Sequence, residues 1–199
     1  MQSTTAEGAT VHEPLLILIR GLPGSGKSYL AQALGQQLGE AVVMLDPDAT
    51  DYTGKAYKAH VAALTEQGVD PALHAYRFLR AQAYAGIEQG KVIVWNQPFT
   101  NLEIFHKMLD GLKAYATEHQ AHLSVLIVEV ETSSELAKTR VEQRKATGGH
   151  GPSEATFQRF QGDYISFADQ GYPAVTVYGH DDIEKSVGVV LDAVRQLRN

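Results

Sequence analysis

The sequence predicts an α/β protein, a five-stranded parallel sheet covered by helices on both faces. Three observations predict it. Short apolar runs alternate with segments of helical spacing, which implies strand–helix–strand crossovers. The runs are apolar without interruption, as strands buried on both faces are. The length of 199 residues, 44% hydrophobic and 20% charged, can bury one sizeable core, roughly 70% of the unfolded surface. The composition is that of an average globular chain, which excludes fibrous and low-complexity classes.

The strands follow in order. Leu15-Leu16-Ile17-Leu18-Ile19 is the first, then Ala41 to Leu45, Val92 to Trp95, Leu123 to Val130 and Ala174 to Tyr178. Their length and flanking breakers favour strands over buried helices. Between them, Leu30, Ala33, Leu34 and Leu38 recur at helical spacing and stop at Gly39. Leu102, Phe105, Met108, Leu112 and Tyr115 form a second such stripe, and Phe157, Phe160, Tyr164 and Phe167 a third. Ile183, Val187, Val190, Val194 and Leu197 form the last, each set lying along one helix face. Thr100 with Glu103, and Thr132 with Glu135, read as capping boxes, while Asp70-Pro71 reads as a helix start with an acceptor before a first-turn proline.

Residues 54–89 hold too much helix for one crossover and are expected as a helical insertion beside the second strand. The polar stretch Met1 to Glu13 is expected as a loose tail, and 14–199 as a single domain. Seventeen Lys and Arg against 23 Asp and Glu give a formal charge of −6. That balance argues against a broad nucleic-acid footprint. Zero cysteines exclude disulfides, thiolate metal sites and a cysteine nucleophile. No apolar run approaches the ~20 residues that cross a bilayer, and the first residues lack the layout of a secretion signal. A cytoplasmic, membrane-free protein is expected.

Gly21-Leu22-Pro23-Gly24-Ser25-Gly26-Lys27-Ser28 matches G-x-x-x-x-G-K-[ST] without a departure, between a buried strand and a helix. Glycines let successive backbone amides converge on an anion, and the following helix adds its positive end. Lys27 would reach the β- and γ-phosphates, the Ser28 hydroxyl would bind Mg2+, and Gly21, Pro23, Gly24, Ser25, Gly26 and Tyr29 are expected with them as the ATP-binding residues. ATP with Mg2+ is the expected cofactor.

The use of the γ-phosphate is a separate question. No N-K-x-D guanine reader occurs, and Asp110-Gly111-Leu112-Lys113 does not fit D-x-x-G. The strand at Val92-Ile93-Val94-Trp95 runs into Asn96-Gln97-Pro98, without the acidic pair of a motor or assembly ATPase. A small phosphotransferase remains, and it needs a carboxylate for the acceptor and mobile positive charge. Asp46-Pro47-Asp48, with Asp51 close behind, stands at the carboxyl end of the second strand, where ligands gather in such sheets. Asp46 is also a candidate magnesium ligand. The alternative for this cluster is an acidic, proline-containing turn that starts a helix. Arg140 and Arg144 share one helix face ahead of Gly148-Gly149-His150-Gly151-Pro152, with Arg159 beyond. They read as a lid over 140–159, or as a solvated charged face partnered by Glu142 and Glu135.

Together, Gly21 to Ser28, Leu45-Asp46-Pro47-Asp48, Arg140-x-x-x-Arg144 with Gly148-Gly149-His150, and Arg159 resemble the zeta-toxin-like P-loop kinases over about residues 15–170. The resemblance implies an adenylate-kinase-like P-loop fold that transfers the γ-phosphate of ATP to a hydroxyl. It makes Asp48 the base, Lys27 and Ser28 the phosphate and magnesium residues, and Arg140 and Arg144 the lid arginines. In zeta toxins proper the acceptor is a sugar nucleotide, and an antitoxin-like protein partner goes with it. Three features depart from the pattern. Thr50 and Asp51 stand where a basic residue is common, and the proline after Gly-Gly-His comes one residue early. The third-strand end reads Trp95-Asn96-Gln97-Pro98-Phe99 in place of an acid and a threonine.

Asp46, Asp51, Asn96, Gln97 and Arg159 are the expected substrate contacts, with a small-molecule hydroxyl as acceptor. Two other readings stay open. One is a nucleotide-binding regulatory protein without phosphotransfer; the other is a polynucleotide 5′-hydroxyl kinase.

Overall fold

The computed structural model describes residues 13–167 and 170–198. The tail expected over 1–13 lies, Glu13 apart, outside the described residues. The chain runs β1 (Leu15–Arg20), α1 (Lys27–Leu38), β2 (Val42–Leu45), α2 (Lys55–Glu66), α3 (His74–Glu88), β3 (Val92–Asn96), α4 (Leu102–Glu118), β4 (Ser124–Glu131), α5 (Ser134–Ala146), α6 (Glu154–Gly162), β5 (Ala174–Tyr178) and α7 (Ile183–Leu197). The five strands form one parallel sheet in the order β2-β3-β1-β4-β5, the architecture the sequence predicts.

Alternation along each strand sends neighbouring residues to opposite faces. Leu15, Ile17 and Ile19 of β1 join Val94, Leu126 and Val128 under α1 and α7. Leu16 and Leu18 join Ile93, Trp95 and Ile127 under α3 and α4. All six residues of β1 are buried, which is why its sequence shows no polar alternation. The central strand therefore delivers its carboxyl end, and the loop that follows, to a fixed place.

The helical segment over 54–89 divides unequally. Gly86 of α3 lies against the side chains of Ile93 and Val43, so α3 is the crossover that covers β2 and β3. Helix α2 buries Leu64 and stands off the sheet.

Two helix starts fall one residue beyond the expected caps. Asn101 caps α4 by accepting from Ile104 N at 3.0 Å, and Ser133 caps α5 by accepting from Leu136 N at 3.2 Å. The Thr132 hydroxyl is turned away from the helix, toward the Ser25 carbonyl at 3.1 Å and the Glu131 carbonyl at 2.7 Å, which share its one proton. Asp70 accepts from Ala72 N at 2.9 Å at the turn that opens α3, as expected. The third apolar stripe is cut short. Helix α6 ends at Gly162, so Tyr164 and Phe167 lie beyond it, and Phe167 is fully buried in the α3–α4 layer.

Candidate active site

The loop Gly21–Ser28 leaves β1 and turns into α1. At Gly24, with φ +84°, an added Cβ would collide with the Ala137 carbonyl oxygen, so the first turns of α5 can pack directly on the loop. Gly26, with φ +106°, is the N-cap of α1 and faces open space. A glycine cap supplies no side chain, so the first-turn amides of α1 stay available to an anion.

Lys27 is 8% exposed, and its Nζ donates to the Leu22 carbonyl at 2.8 Å across the loop. Burial pulls its pKa down to about 8, against the opposing pull of Asp48 and Asp46, while Arg144 pushes the same way as burial. Lys27, Asp46, Asp48 and Arg144 thus share one electrostatic neighbourhood, although Asp48 and Arg144 come from distant segments.

Asp46 organises the turn after β2. Its Oδ1 accepts from Asp48 N at 2.9 Å, and its carbonyl accepts from the Thr50 hydroxyl at 2.7 Å. Its Oδ2 accepts from Asn96 Nδ2 at 2.6 Å, and the same Nδ2 donates to Ser28 Oγ at 3.0 Å. The acidic turn and the candidate site are therefore one structure. Asp48 is left exposed. Tyr29 is 64% exposed.

Arg140 and Arg144 take different positions. Arg140 donates to the Gly179 carbonyl at 2.9 Å. The Gly179 backbone in turn lies so close to Ser25 O and Thr132 Oγ1 that a Cβ would collide with both. The loop after β5 thus sits on the phosphate loop, and Arg140 pins it there. Arg144, one turn on, is exposed. Helices α5 and α6 share a small core of Ala137, Val141 and Phe157 and the Lys138–Glu154 ion pair at 2.8 Å. Arg159 is exposed on α6, with its guanidinium 5.8 Å from the Phe160 ring centre.

Of the residues expected on the substrate side, Asp51, Gln97 and Asn96 are, like Asp46, engaged by other side chains or backbone. Asp51 accepts from the Thr53 hydroxyl at 2.7 Å and the Thr53 amide at 2.9 Å, and these bonds hold its carboxyl below the usual range. Gln97 Oε1 accepts from the Trp95 indole at 3.2 Å. Asn96 turns to Ser28 and Asp46. A cavity of about 950 Å³ opens beside them, reaching from Ser28 and Asp46 past Thr50 to Tyr57, Phe78 and Gln82. Tyr57 and Phe78 line it and meet edge-on, and Tyr52 meets Tyr57 edge-on behind them. After β3, Phe99 holds φ +49°, a left-handed conformation that costs a bulky residue on the order of 1–3 kcal/mol.

Sequence reasoning missed Arg20 and Glu129. Arg20, the last residue of β1, is fully buried and pairs with Glu129 at 2.7 Å. Its guanidinium lies over Tyr164 at 4.4 Å and Phe167 at 4.2 Å and donates to the Ile165 carbonyl at 2.6 Å. Burial lowers its pKa, while Tyr164 and Glu129 oppose that shift. Glu129 also accepts from the Ser166 hydroxyl at 2.7 Å and the Phe167 amide at 3.1 Å. The cluster fastens the segment after α6 to the sheet end that carries the phosphate loop. One signal was present: each of two apolar runs reaches a charged residue at or near its carboxyl end, Arg20 and Glu129, which the sheet sets in register.

Ser28 and Asp46 are hard oxygen donors of the kind Mg2+ takes, supplemented by water and phosphate. They share Asn96 as a hydrogen-bond partner, and its buried Oδ1 has no partner, so the amide is set by what its nitrogen holds. These residues fit a magnesium ion. Among the described residues no helix is long and apolar enough to cross a membrane.

The sheet order, with a phosphate loop after its central strand, defines a P-loop protein of kinase-like fold. The chain belongs to the AAA domain family (AAA_33), whose model matches residues 16–164. Among solved structures, a provisionally assigned kinase from Chloroflexus aurantiacus is similar with a TM-score of 0.62 and 18% identity, covering 93% of this chain and 98% of that one. A sugar kinase from Janibacter sp. HTCC2649 follows with a TM-score of 0.57, 15% identity and coverage of 92% and 95%. A gluconokinase from Sinorhizobium meliloti 1021 gives 0.56, 15%, 92% and 93%. At such identities the likeness is one of fold. No curated protein matches the chain.

Proposed function

We propose that the protein is an ATP-dependent kinase that moves the γ-phosphate to a hydroxyl of a small molecule. The observation that carries the reading is the hydrogen-bonded link from Ser28 through Asn96 to Asp46, with Asp48 held on Asp46, beside the side-chain-free N-cap of α1. A binding module needs the amides and the lysine; it does not need an exposed carboxylate held next to them.

In this reading the first-turn amides of α1 take the phosphates, and Lys27 exchanges the Leu22 carbonyl for phosphate oxygens. Ser28 and Asp46 would hold Mg2+, which supplies charge neutralisation on the β- and γ-phosphates when bound. Asp48 accepts the proton of the acceptor hydroxyl as its oxygen bonds to phosphorus and the bond to the ADP oxygen breaks. Arg144 adds positive charge to the transferring group, and Arg140 holds the loop after β5 against the phosphate loop.

The acceptor belongs in the cavity of Tyr57, Phe78 and Gln82, whose aromatic walls and amide suit a ring bearing hydroxyls. The zeta-toxin-like reading rests on the motifs of the sequence, and a sugar nucleotide is its specific form. Lys55 is the one cationic side chain among the cavity's lining residues, beside Asp46 and Asp51, which supports an uncharged sugar-like acceptor over a doubly charged diphosphate. A second reading, nucleotide binding without transfer, is favoured by one observation: Asn96 stands where a carboxylate would end β3.

Mass spectrometry of a metabolite pool incubated with the protein, Mg2+ and γ-labelled ATP tests the reading. Label is expected in a hydroxyl compound, entering roughly 10²–10⁴-fold more slowly in an Asp48→Asn control. ATP binding with no labelled product would contradict it and favour the second reading.

A further inference from the structure

The β3 strand lies beside β1 and ends at Asn96, which is 4% exposed. Other P-loop enzymes use an aspartate to hold the metal opposite the loop's hydroxyl. Here the carboxylate comes from the turn after the neighbouring strand β2, as Asp46, and Asn96 stands between it and Ser28. Asn96 Nδ2 is 2.6 Å from Asp46 Oδ2 and 3.0 Å from Ser28 Oγ. A carboxylate oxygen accepts and does not donate, so the nitrogen must face Asp46. That orientation leaves Oδ1 buried and unpartnered, which is unfavourable for a buried acceptor. The amide gives up one hydrogen bond to keep two.

We propose that Asn96 is the positioning residue of the magnesium site, holding the Ser28 hydroxyl and the Asp46 carboxylate as one preset pair. Being neutral, it does so without adding a second negative charge. The pair then binds a divalent cation well only when nucleotide phosphates complete the site. A carboxylate at the same place would repel Asp46 in the absence of a cation and attract one without nucleotide. The inference rests on the kinase reading for nucleotide and cation binding, and not on the acceptor.

Calorimetric titration with a non-hydrolysable ATP analogue, in Mg2+ and separately in EDTA, tests it. Wild type is expected to gain affinity on adding Mg2+. Asn96→Leu is expected to lose about 10–100-fold of that gain, the usual effect of removing a partner of a metal ligand, with its EDTA affinity unchanged. Asn96→Asp, which keeps the shape, is expected to bind Mn2+ without nucleotide ~tenfold or more tighter than wild type by electron paramagnetic resonance. A magnesium gain that Asn96→Leu retains overturns the role of Asn96 alone. So does an equal loss in EDTA and Mg2+, which marks a structural prop. If Asn96→Leu fails to fold, Mn2+ affinity in Asn96→Asp equal to that of wild type overturns it instead. Wild type that ignores the analogue in both buffers overturns the kinase reading as well.

Discussion

The phosphate side and the acceptor side of this cleft are built differently. The phosphate side is made of backbone: glycines in left-handed conformations, uncapped helix amides, and a lysine stretched across its own loop. The acceptor side is made of side chains that are largely committed to each other, Asp51 to Thr53, Gln97 to Trp95, and Asn96 to Ser28 and Asp46. A site of backbone amides accepts any polyphosphate of the right geometry. A site of engaged side chains leaves a few groups, chiefly Asp48 and the walls of the cavity, to choose a substrate.

Three variants separate the two sides. Asp48→Asn should lower turnover by roughly 10²–10⁴, the size of a lost general base, and leave ATP affinity in place; a parallel loss of ATP affinity would place Asp48 on the phosphate side instead. Breaking the Arg20–Glu129 pair with Glu129→Leu should cost about 3–5 kcal/mol of stability, because a buried guanidinium is left uncompensated. Denaturant melts measure it, and a loss under ~1 kcal/mol would remove the cluster as the fastening of residues 164–167. Gln97→Ala should cost about 1–3 kcal/mol through the orphaned Trp95 indole while the acceptor KM stays constant. A raised KM at unchanged stability would return Gln97 to the substrate.

The smallest effect is on pH. Lys27 binds phosphate as an ammonium, so nucleotide affinity should fall as pH rises through about 8. Arg144→Ala removes a like charge and should move that midpoint up, whereas Asp48→Asn should move it down. The same lysine is held below its ordinary value by burial, so the unfolded chain keeps the proton more tightly. Its charging therefore opposes folding below about pH 8, and that penalty fades as pH rises toward 10.5. A flat affinity profile between pH 7 and 9 would contradict the placement of Lys27.

The sheet and the phosphate loop were legible because each rests on a local pattern: uninterrupted apolar runs in one case, eight consecutive residues in the other. The caps were displaced by one because Thr100-Asn101 and Thr132-Ser133 each offer two good cap residues. The choice at Ser133 is made by Ser25, more than a hundred residues away, which takes the Thr132 hydroxyl. Tyr164 and Phe167 keep helical spacing yet leave the helix, since Glu129 and Arg20 hold them elsewhere. Asn96 and Gln97 were correctly placed at the strand end, but no local pattern says which way a side chain turns there. Long-range pairing decided it.

The central claim is that the loop Gly21–Ser28 grips the triphosphate of ATP. Isothermal titration of ATP with Mg2+ into wild type and Lys27→Ala measures this directly. The account predicts one-to-one binding by wild type and a loss of about 10–150-fold in the variant, the value of a charge-assisted bond of about 1.5–3 kcal/mol. Equal affinities would contradict it.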